Sequence, residues 1–265
     1  MIKYKTVRKI NLLLLVFLSI NFAVFTKNKP LPKSKWVQLF NGKNLDGWKP
    51  KIVGFPVGEN AYNTFRVKKG ILSTRYDQYK SFDNQFGALY FKKKYANFRI
   101  KVTYRFVGET APGAPTWGFR DGGVQFYCQD PNTVEKMQDF PVCLEYNLHG
   151  GNGKDDNPLG EICANGIYVT VNGDKNKAYC TPATVKRTFH GDQWVTLEID
   201  VKDGKMAHFI NGEKILEYQN PRFDSTNAVG KTFIVNGNDA VTNGYISLQS
   251  NSHPMDFKSI EIMEY

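Results

Sequence analysis

Residues Phe98–Phe106 read FRIKVTYRF, and this stretch decides the fold class. Apolar side chains occupy every second position, and basic or hydroxyl side chains occupy the positions between them. A two-residue period is typical of a β-strand that has one face in the core and the other in solvent. We therefore predict a half-buried strand here.

Other segments show the same alternation and are separated by turn signals. Asn-Gly or Asp-Gly pairs occur at ten places after Trp36. Both pairs favour the positive φ angles of tight hairpin turns. No long amphipathic helical pattern is evident, so the sequence predicts an all-β sandwich or barrel. The other predicted strands are residues 123–129, 142–149, 194–201, 206–210, 213–218, 244–249 and 256–264.

The first 35 residues differ in charge from the rest of the 265-residue chain. They contain eight Lys or Arg and no Asp or Glu. Removing these eight from the formal net charge of +10 leaves +2 for residues 36–265. A nearly neutral folded part gives no support for binding nucleic acid phosphates.

Residues 1–25 have the pattern of a secretory signal peptide. A basic start precedes the apolar run Ile10–Phe25, which is shorter than the about 20 residues of a membrane-spanning helix. We predict a signal peptide over residues 1–25, a linker over 26–35 and one domain over 36–265. Because no small-x-small cleavage site is evident, an uncleaved anchor remains the alternative, and the membrane would be contacted only through this segment.

Two predicted strands, residues 123–129 and 142–149, differ from the other strands in the side chains at their polar positions. If they are neighbours, one sheet face carries amides, Tyr, His and one carboxylate, while Cys128 points to the apolar face. Such a face is more typical of a lined groove than of a solvated sheet, which remains the alternative. The polar positions are Gln125, Tyr127, Glu145, Asn147 and His149.

Four cysteines in an exported chain indicate disulfides. Cys163 and Cys180 flank a Gly- and Asn-rich hairpin, and we predict that they pair. Cys128 and Cys143 fall on opposite faces by the alternation. Because cross-strand partners share a face, these two could pair only if a bulge intervenes.

The stretch Gly150–Glu161 is rich in Asp and Asn. Hard oxygen ligands suit a divalent cation such as calcium, but the spacing is not that of an EF-hand. A plain polar loop is therefore the favoured interpretation, and a calcium site is the alternative. Zinc spacings, phosphate-binding glycine loops and the Gly-x-Ser-x-Gly elbow are missing from the sequence. No cofactor is therefore predicted with certainty.

A group of motifs spread along the chain resembles one known family. In order and spacing they resemble the 3-keto-disaccharide hydrolase family, formerly a domain of unknown function, over residues 36–265. Gly122 stands where that family has Ser, and Tyr127 stands where some members have His. The motifs are WVQLFNGKNLDGW at 36–48, RDGGV at 120–124, FPVCLEYNLHGG at 140–151, GYISLQSNSHP at 244–254 and FKSIEI at 257–262.

The resemblance implies a concanavalin A-like fold, an antiparallel two-sheet jelly-roll sandwich with a carbohydrate groove. It also implies action on glycosides oxidised at C3, by an exported bacterial protein of the periplasm or cell surface. The alternatives are a non-catalytic carbohydrate-binding module on the same fold and an ordinary glucanase. The glucanase is disfavoured because the Glu-x-Asp-x-x-Glu strand is absent from the sequence.

The predicted site centres on Glu145, the one carboxylate of the polar face, as the main acid/base. His149 and His253 are its predicted partners for proton transfer or for stabilising an enolate. A second set of residues is predicted to bind the sugar through hydroxyl contacts or ring stacking. This set is Arg120, Gln125, Asn147, Gln249 and Trp117.

Overall fold

The computed structural model describes Met1 and residues 35–265. Regular structure in this part of the chain consists of β-strands and four short 3₁₀-helices, at Ala61–Asn63, Thr116–Gly118, Pro131–Thr133 and Gly230–Phe233. The strands are β1 (Val37–Gln38), β2 (Trp48–Ile52), β3 (Phe65–Lys68), β4 (Ile71–Thr74), β5 (Gly87–Tyr95), β6 (Phe98–Phe106), β7 (Asp121–Cys128), β8 (Cys143–His149), β9 (Ile162–Asn165), β10 (Ile167–Val171), β11 (Asp174–Asn176), β12 (Cys180–Thr181), β13 (Val195–Lys202), β14 (Lys205–Ile210), β15 (Glu213–Phe223), β16 (Gly244–Ser250) and β17 (Met255–Glu264).

The strands form two antiparallel sheets. The ten-stranded sheet has the order β11-β10-β15-β14-β13-β6-β17-β4-β3, with β1 paired to β17. The seven-stranded sheet has the order β12-β9-β8-β7-β16-β5-β2. Neighbours in both orders are often distant in sequence, as expected for a jelly roll. The predicted all-β, two-sheet jelly-roll sandwich is confirmed.

The core lies between the two sheets and follows the predicted alternation. In β6, the five apolar side chains from Phe98 to Phe106 are at most 4% exposed, while the positions between them are partly exposed. Val124, Leu144 and Leu248 of the seven-stranded sheet are fully buried in the same cluster. Burial of each such side chain stabilises the fold by about 1.5–3 kcal/mol, so the alternation fixes which face of each strand points inward.

Tight turns set the strand register where the sequence predicts them. Asp203 and Gly204 have φ angles of 50° and 73°, and Asn211 and Gly212 have φ angles of 47° and 86°. Paired positive φ angles are the mark of a type I′ hairpin turn, whose twist matches that of the strands. These two turns connect β13, β14 and β15 as consecutive antiparallel neighbours.

One prediction about β7 is wrong, because the strand contains a bulge. Phe126 pairs with Leu144, whereas the Gln129 amide donates to the Val142 carbonyl, so two residues of β7 lie opposite one residue of β8. The extra residue is Tyr127, whose φ is 52°. Its ring lies in the core between the sheets rather than on the polar face.

Beyond the bulge, every side chain of β7 changes face. Cys128 therefore points away from the core, toward the outer face of the seven-stranded sheet, where it contacts Cys143 in a small separate cluster. The sequence placed Cys128 on the apolar inner face, since alternation carries no sign of an inserted residue.

The predicted signal peptide and most of the predicted linker lie outside the described residues. The features discussed below belong to residues 35–265. Within the described residues, no helix has the length and apolar character that crossing a membrane requires.

Candidate active site

Glu145 is held by amides from two other strands on the outer face of the seven-stranded sheet. Gln125 lies opposite Glu145 in the register of β7 and β8. Gln125 Nε2 donates to Glu145 Oε2 at 2.8 Å, and Gln249 Nε2 donates to the same oxygen at 3.1 Å. Ser247 Oγ donates to Gln125 Oε1 at 2.8 Å. This contact fixes the orientation of the Gln125 side chain, so that its Nε2 faces the Glu145 carboxyl. Three strands thus orient one carboxyl group.

This carboxyl group is shifted toward neutrality at physiological pH. Burial raises the pKa of Glu145 to about 8, and the charges of Asp121 and Glu161 also raise it. The hydrogen bond from Gln125 and the charge of His149 lower it but do not outweigh burial. Since both amides bind Oε2, the proton of the neutral acid belongs on Oε1. A carboxyl with a pKa near working pH is suited to proton transfer.

His149 lies between two acceptors. Its Nε2 is 3.0 Å from Asp121 Oδ2, and its Nδ1 is 3.1 Å from the Pro158 carbonyl oxygen. Burial lowers the pKa of His149, but the hydrogen bond and charge of Asp121 outweigh it and the net pKa is raised. An acceptor faces each nitrogen, and the Asn147 amide Nδ2 is also 3.2 Å from Nε2. The raised pKa of His149 shifts the ring toward its protonated form.

The carboxylates around His149 are themselves held by amides. Asn147 Nδ2 donates to Glu161 Oε1 at 2.9 Å, and the Asn251 amide donates to Asp121 Oδ1. Glu161 Oε1 is 3.9 Å from His149 Nε2. The group therefore combines one cation with two carboxylates beside Glu145, and the residual negative charge opposes ionisation of Glu145.

A cavity of about 360 Å³ opens above these residues. Three of its amide oxygens, Asn147 Oδ1, Gln249 Oε1 and Asn251 Oδ1, are buried and have no hydrogen-bond partner among the described residues. An unsatisfied buried acceptor costs about 1–3 kcal/mol, so a ligand that carries several hydroxyl donors fits this lining. The polar lining consists of Asp121, Glu145, Asn147, Asn165, Gln249 and Asn251.

Aromatic rings form the walls of the cavity. Trp117 and Tyr179 both line it, with 53% and 55% of their surfaces exposed. Trp117 stacks on Phe86 at 5.6 Å, and Phe86 also contacts Phe140, which lines the cavity as well. Apolar sugar faces stack on exposed rings of this kind. The disulfide between Cys163 and Cys180 completes the lining and lies next to Tyr179.

A second depression, of about 420 Å³, lies on the outer face of the ten-stranded sheet. Its charged residues Lys202, Lys205 and Glu217 are exposed, and Glu217 pairs with Lys214 at 2.7 Å on the surface. It lacks a buried acid, and its one lining aromatic, Tyr218, is itself buried, so we regard it as a solvated sheet face despite its larger volume.

Arg120 does not line the cavity beside Glu145. Its guanidinium donates to the Gly191 carbonyl and to Asp192 Oδ1, the latter at 3.0 Å. Asp121, the next residue, instead pairs with His149. The structure therefore separates the two residues of the Arg-Asp motif and leaves Arg120 bound to a different loop.

His253 also lies outside the cavity lining. The ring is fully buried, packs against Phe106 and Phe119, and contacts Thr110 Oγ1 at 2.8 Å through Nδ1. Burial, with a contribution from the Arg120 charge, lowers the pKa of His253 to about 4. A neutral, enclosed ring is not placed to exchange protons with a ligand beside Glu145.

The described residues give the calcium prediction no ligand set. In the loop Gly150–Glu161, the Asn152 side chain accepts from the amides of Lys154 and Asp155, which forms a local turn. The one cluster with metal-like spacing in residues 35–265 is Glu161, Cys163 and Cys180. Both of its sulfurs are joined in the disulfide, so they are not free to bind an ion.

Sequence analysis does not assign five residues of the site, which are Asp121, Glu161, Asn165, Tyr179 and Asn251. Asp121 enters it only as part of the motif at 120–124, and Glu161 only as the end of the polar loop Gly150–Glu161. The signal that could have found Tyr179 is its position next to Cys180, because a disulfide to Cys163 brings it to the strand beside Glu145.

The profile of the 3-keto-alpha-glucoside-1,2-lyase-like domain matches residues 35–263. The chain belongs to this family. A carbohydrate-related function is therefore established for it at a coarse level, and the cavity with its aromatic walls lies within the matched range. The comparison with curated proteins found no match.

Solved structures show the same fold at low sequence identity. A putative glycosyl hydrolase from Parabacteroides distasonis ATCC 8503 is 20% identical, with a TM-score of 0.52, and the match covers 87% of this chain and 94% of that chain. A protein of unknown function with a galectin-like fold from Bacillus subtilis is 10% identical, with a TM-score of 0.52 and the same two coverages. At these identities the likeness concerns the fold alone.

Proposed function

We propose that the protein is an exported enzyme that cleaves 3-keto-glycosides, with Glu145 as the acid/base. The observation that carries this proposal is the buried Glu145 carboxyl, whose pKa burial raises to about 8, at the floor of a cavity lined by amides and aromatic rings. An acid needed only to hold a sugar hydroxyl would gain nothing from a pKa near neutrality, whereas a general base or acid would.

The substrate class follows from the chemistry that one such carboxyl can perform. A ketone at C3 of a sugar acidifies the proton at C2. A base removes that proton, and the resulting enolate expels the substituent at C1. Water then adds to the product, which makes the net reaction a hydrolysis. A conventional glycosidase needs instead two carboxylates with separate acid and nucleophile or base roles.

The ionised form of Glu145 removes the C2 proton and returns it to the departing oxygen. The Tyr179 hydroxyl has no hydrogen-bond partner among the described residues, and it is a suitable donor to the enolate oxygen. Burial and the charge of Glu145 raise the pKa of Tyr179, so the hydroxyl keeps its proton. Trp117 stacks on a sugar ring.

The other polar groups bind or position. The unpaired oxygens of Asn147, Gln249 and Asn251 accept hydrogen bonds from sugar hydroxyls. The charge of His149 lowers the pKa of Glu145, so the imidazolium makes the ionised base accessible at neutral pH. Gln125 is fully buried and donates to Glu145. It therefore positions the Glu145 carboxyl and does not bind the sugar.

The second candidate is a non-catalytic carbohydrate-binding module. The same unpaired amide oxygens and exposed rings that would place a substrate would also hold a sugar without turnover. Galectin-like folds are not confined to enzymes, so the fold does not choose between the two candidates.

Incubation with a 3-keto-disaccharide and with its unoxidised parent separates these functions. We expect turnover of the keto sugar alone, and a loss of about 10²–10⁴-fold in kcat for Glu145→Gln. Glu217→Gln, an exposed glutamate on the other sheet, is the matched control and should keep wild-type turnover. Binding without turnover would favour the module. Near-wild-type turnover by folded Glu145→Gln would refute the role of Glu145.

Export is proposed on two grounds. Residues 1–25 have the composition of a signal peptide, and the disulfide Cys163–Cys180 is of a kind that persists in oxidising compartments. Expression of the full chain in a bacterial host followed by cell fractionation and N-terminal mass analysis tests this. We expect a product in the exported fraction that lacks the first 25 or so residues, whereas an unprocessed cytoplasmic product would contradict export.

A further inference from the structure

The bulge at Tyr127 brings together two cysteines that the sequence separates. Cys128 lies after the extra residue of β7, and Cys143 begins β8. The paired residues Phe126 and Leu144 lie on one side of them, and the hydrogen bond from the Gln129 amide to the Val142 carbonyl lies on the other. Cys128 is thereby held opposite Cys143 on the same sheet face.

The two thiols are in contact and enclosed. Each cysteine is 2% exposed, and both belong to one apolar cluster with Ala88 and Tyr90. The side chains of Cys128 and Cys143 lie in the same small cluster, and Cys128 Sγ is 3.5 Å from Ser247 Oγ. Neither cysteine takes part in the disulfide Cys163–Cys180.

This arrangement meets the geometric requirement for a cross-link. The bulge places both cysteines on the same face of neighbouring strands, which is the arrangement that a cross-strand disulfide requires. The pair Cys163–Cys180 joins opposed residues of β9 and β12 in the same sheet. We propose that Cys128 and Cys143 are a second disulfide-forming site, which is oxidised when the chain folds in the presence of a small-molecule disulfide such as oxidised glutathione.

The exchange is balanced. The thiolate of one cysteine attacks the glutathione disulfide, which forms a mixed disulfide and releases one glutathione thiolate. The second cysteine thiolate then attacks the protein sulfur of the mixed disulfide and releases the second glutathione. Two electrons and two protons pass from the cysteine pair to the oxidant. One protein disulfide and two molecules of reduced glutathione result.

The folded environment determines when this exchange can take place. The hydrogen bond from Cys128 and burial raise the pKa of Cys143 well above its ordinary value. Since the thiolate is the reactive form, a reduced pair that is already folded should react slowly. The bond should therefore form during folding, before β7 and β8 enclose the thiols. It would close the loop of residues 129–142, which carries Phe140 of the cavity wall.

The test follows all four cysteines of the full chain through refolding. The protein is unfolded and reduced, and then refolded either with a mixture of reduced and oxidised glutathione or with dithiothreitol. Free thiols are trapped with N-ethylmaleimide under denaturing conditions, and peptides are mapped by mass spectrometry. We expect a Cys128–Cys143 disulfide-linked peptide only in the glutathione sample, in which neither cysteine of the pair carries N-ethylmaleimide.

Three further samples sharpen the result. A protein folded in the reduced state and only then given oxidised glutathione should form the Cys128–Cys143 bond at least about tenfold more slowly. Cys128→Ala and Cys143→Ala should each leave the other cysteine alkylated and Cys163–Cys180 intact. If wild-type protein refolded with glutathione instead shows both Cys128 and Cys143 alkylated, or joined to Cys163 or Cys180, the proposal is overturned. This outcome needs no variant to fold and no enzyme assay.

Discussion

Gly123 leaves open the space that the carboxyl group of Glu145 occupies. A Cβ atom added at Gly123 would lie 2.5 Å from Glu145 Cδ and 2.6 Å from Oε1. Such distances are closer than contact between non-bonded atoms allows, so any other residue at this position would displace the carboxyl. Gly123 faces Asn147 in the register of β7 and β8, and Glu145, two pairs further along, lies on the same face with its side chain over Gly123.

Gly123→Ala should therefore impair the site more than the fold. We expect kcat on a 3-keto-glycoside to fall by about 10²-fold, because a displacement of about 1 Å at a reacting group has effects of that size. The control is Gly122→Ala, whose Cβ would meet the flexible end of Met255 on the core face. That variant should lose stability rather than activity per folded molecule. Equal kcat values for the two folded variants would argue against the contact.

The raised pKa of Glu145 makes stability depend on pH. Glu145 keeps its proton in the folded state up to about pH 8, whereas in the unfolded chain it loses the proton near its ordinary value of about 4.5. Its contribution is therefore fully present below about pH 4.5 and is lost as the pH rises through 8, by about 1.4 kcal/mol for each pH unit between the two values.

Glu145→Gln removes this titration. The free energy of unfolding of the variant, relative to that of the wild type, should rise between about pH 5 and pH 8 and stay constant above that range. Urea titrations at several pH values measure this difference. A difference that does not change with pH would mean that Glu145 is ionised in the folded protein.

Alternation alone predicted much of the fold and part of the candidate site. A two-residue period puts Glu145, Asn147 and His149 on one face of β8, and the structure places them there. The alternation could not reveal the bulge at Tyr127, because the inserted residue has the same chemical character as its neighbours. Asp121 and Glu161 come to His149 through strand pairing and a loop, and such long-range contacts leave no local pattern.

The pair Asp121 and His149 offers a direct test by NMR. Burial alone would lower the pKa of His149, and the hydrogen bond and charge of Asp121 reverse that effect. Asp121→Asn should therefore bring the pKa of His149 below its ordinary value of about 6.5. Titration of the ring proton signals of His149 checks this. An unchanged His149 titration would contradict the assigned role of Asp121.

Trp117 should contribute to sugar binding rather than to chemistry. We expect Trp117→Ala to weaken binding of a keto sugar about fivefold, which corresponds to roughly 1 kcal/mol for the loss of one stacking contact. Trp36, which is 39% exposed and lies under Lys101 on the other sheet, provides the matched control, because Trp36→Ala should leave Kd unchanged. Calorimetric titration distinguishes the two. The same fall in affinity for both variants would remove Trp117 from the site.

The disulfide Cys163–Cys180 should stabilise both the fold and the position of Tyr179. Its cysteines are 17 residues apart in sequence, and closing a loop of that size contributes about 3 kcal/mol. The double variant Cys163→Ala, Cys180→Ala should melt roughly 5–10 °C lower than the wild type. Excess dithiothreitol also reduces a Cys128–Cys143 bond, so wild type and variant should share one Tm in its presence. Equal Tm values without dithiothreitol would refute the contribution.

The bulge in β7 has a consequence for anyone who compares this chain with its relatives. One step of two residues along β16, from Tyr245 to Ser247, corresponds to three residues along β7, from Cys128 back to Gln125. An alignment without a gap here assigns equivalent numbers to residues on opposite sides of the sheet. Relatives that lack the additional residue would present a different side chain beside Glu145, so their residues in this strand should be matched by hydrogen-bonded partner rather than by sequence position.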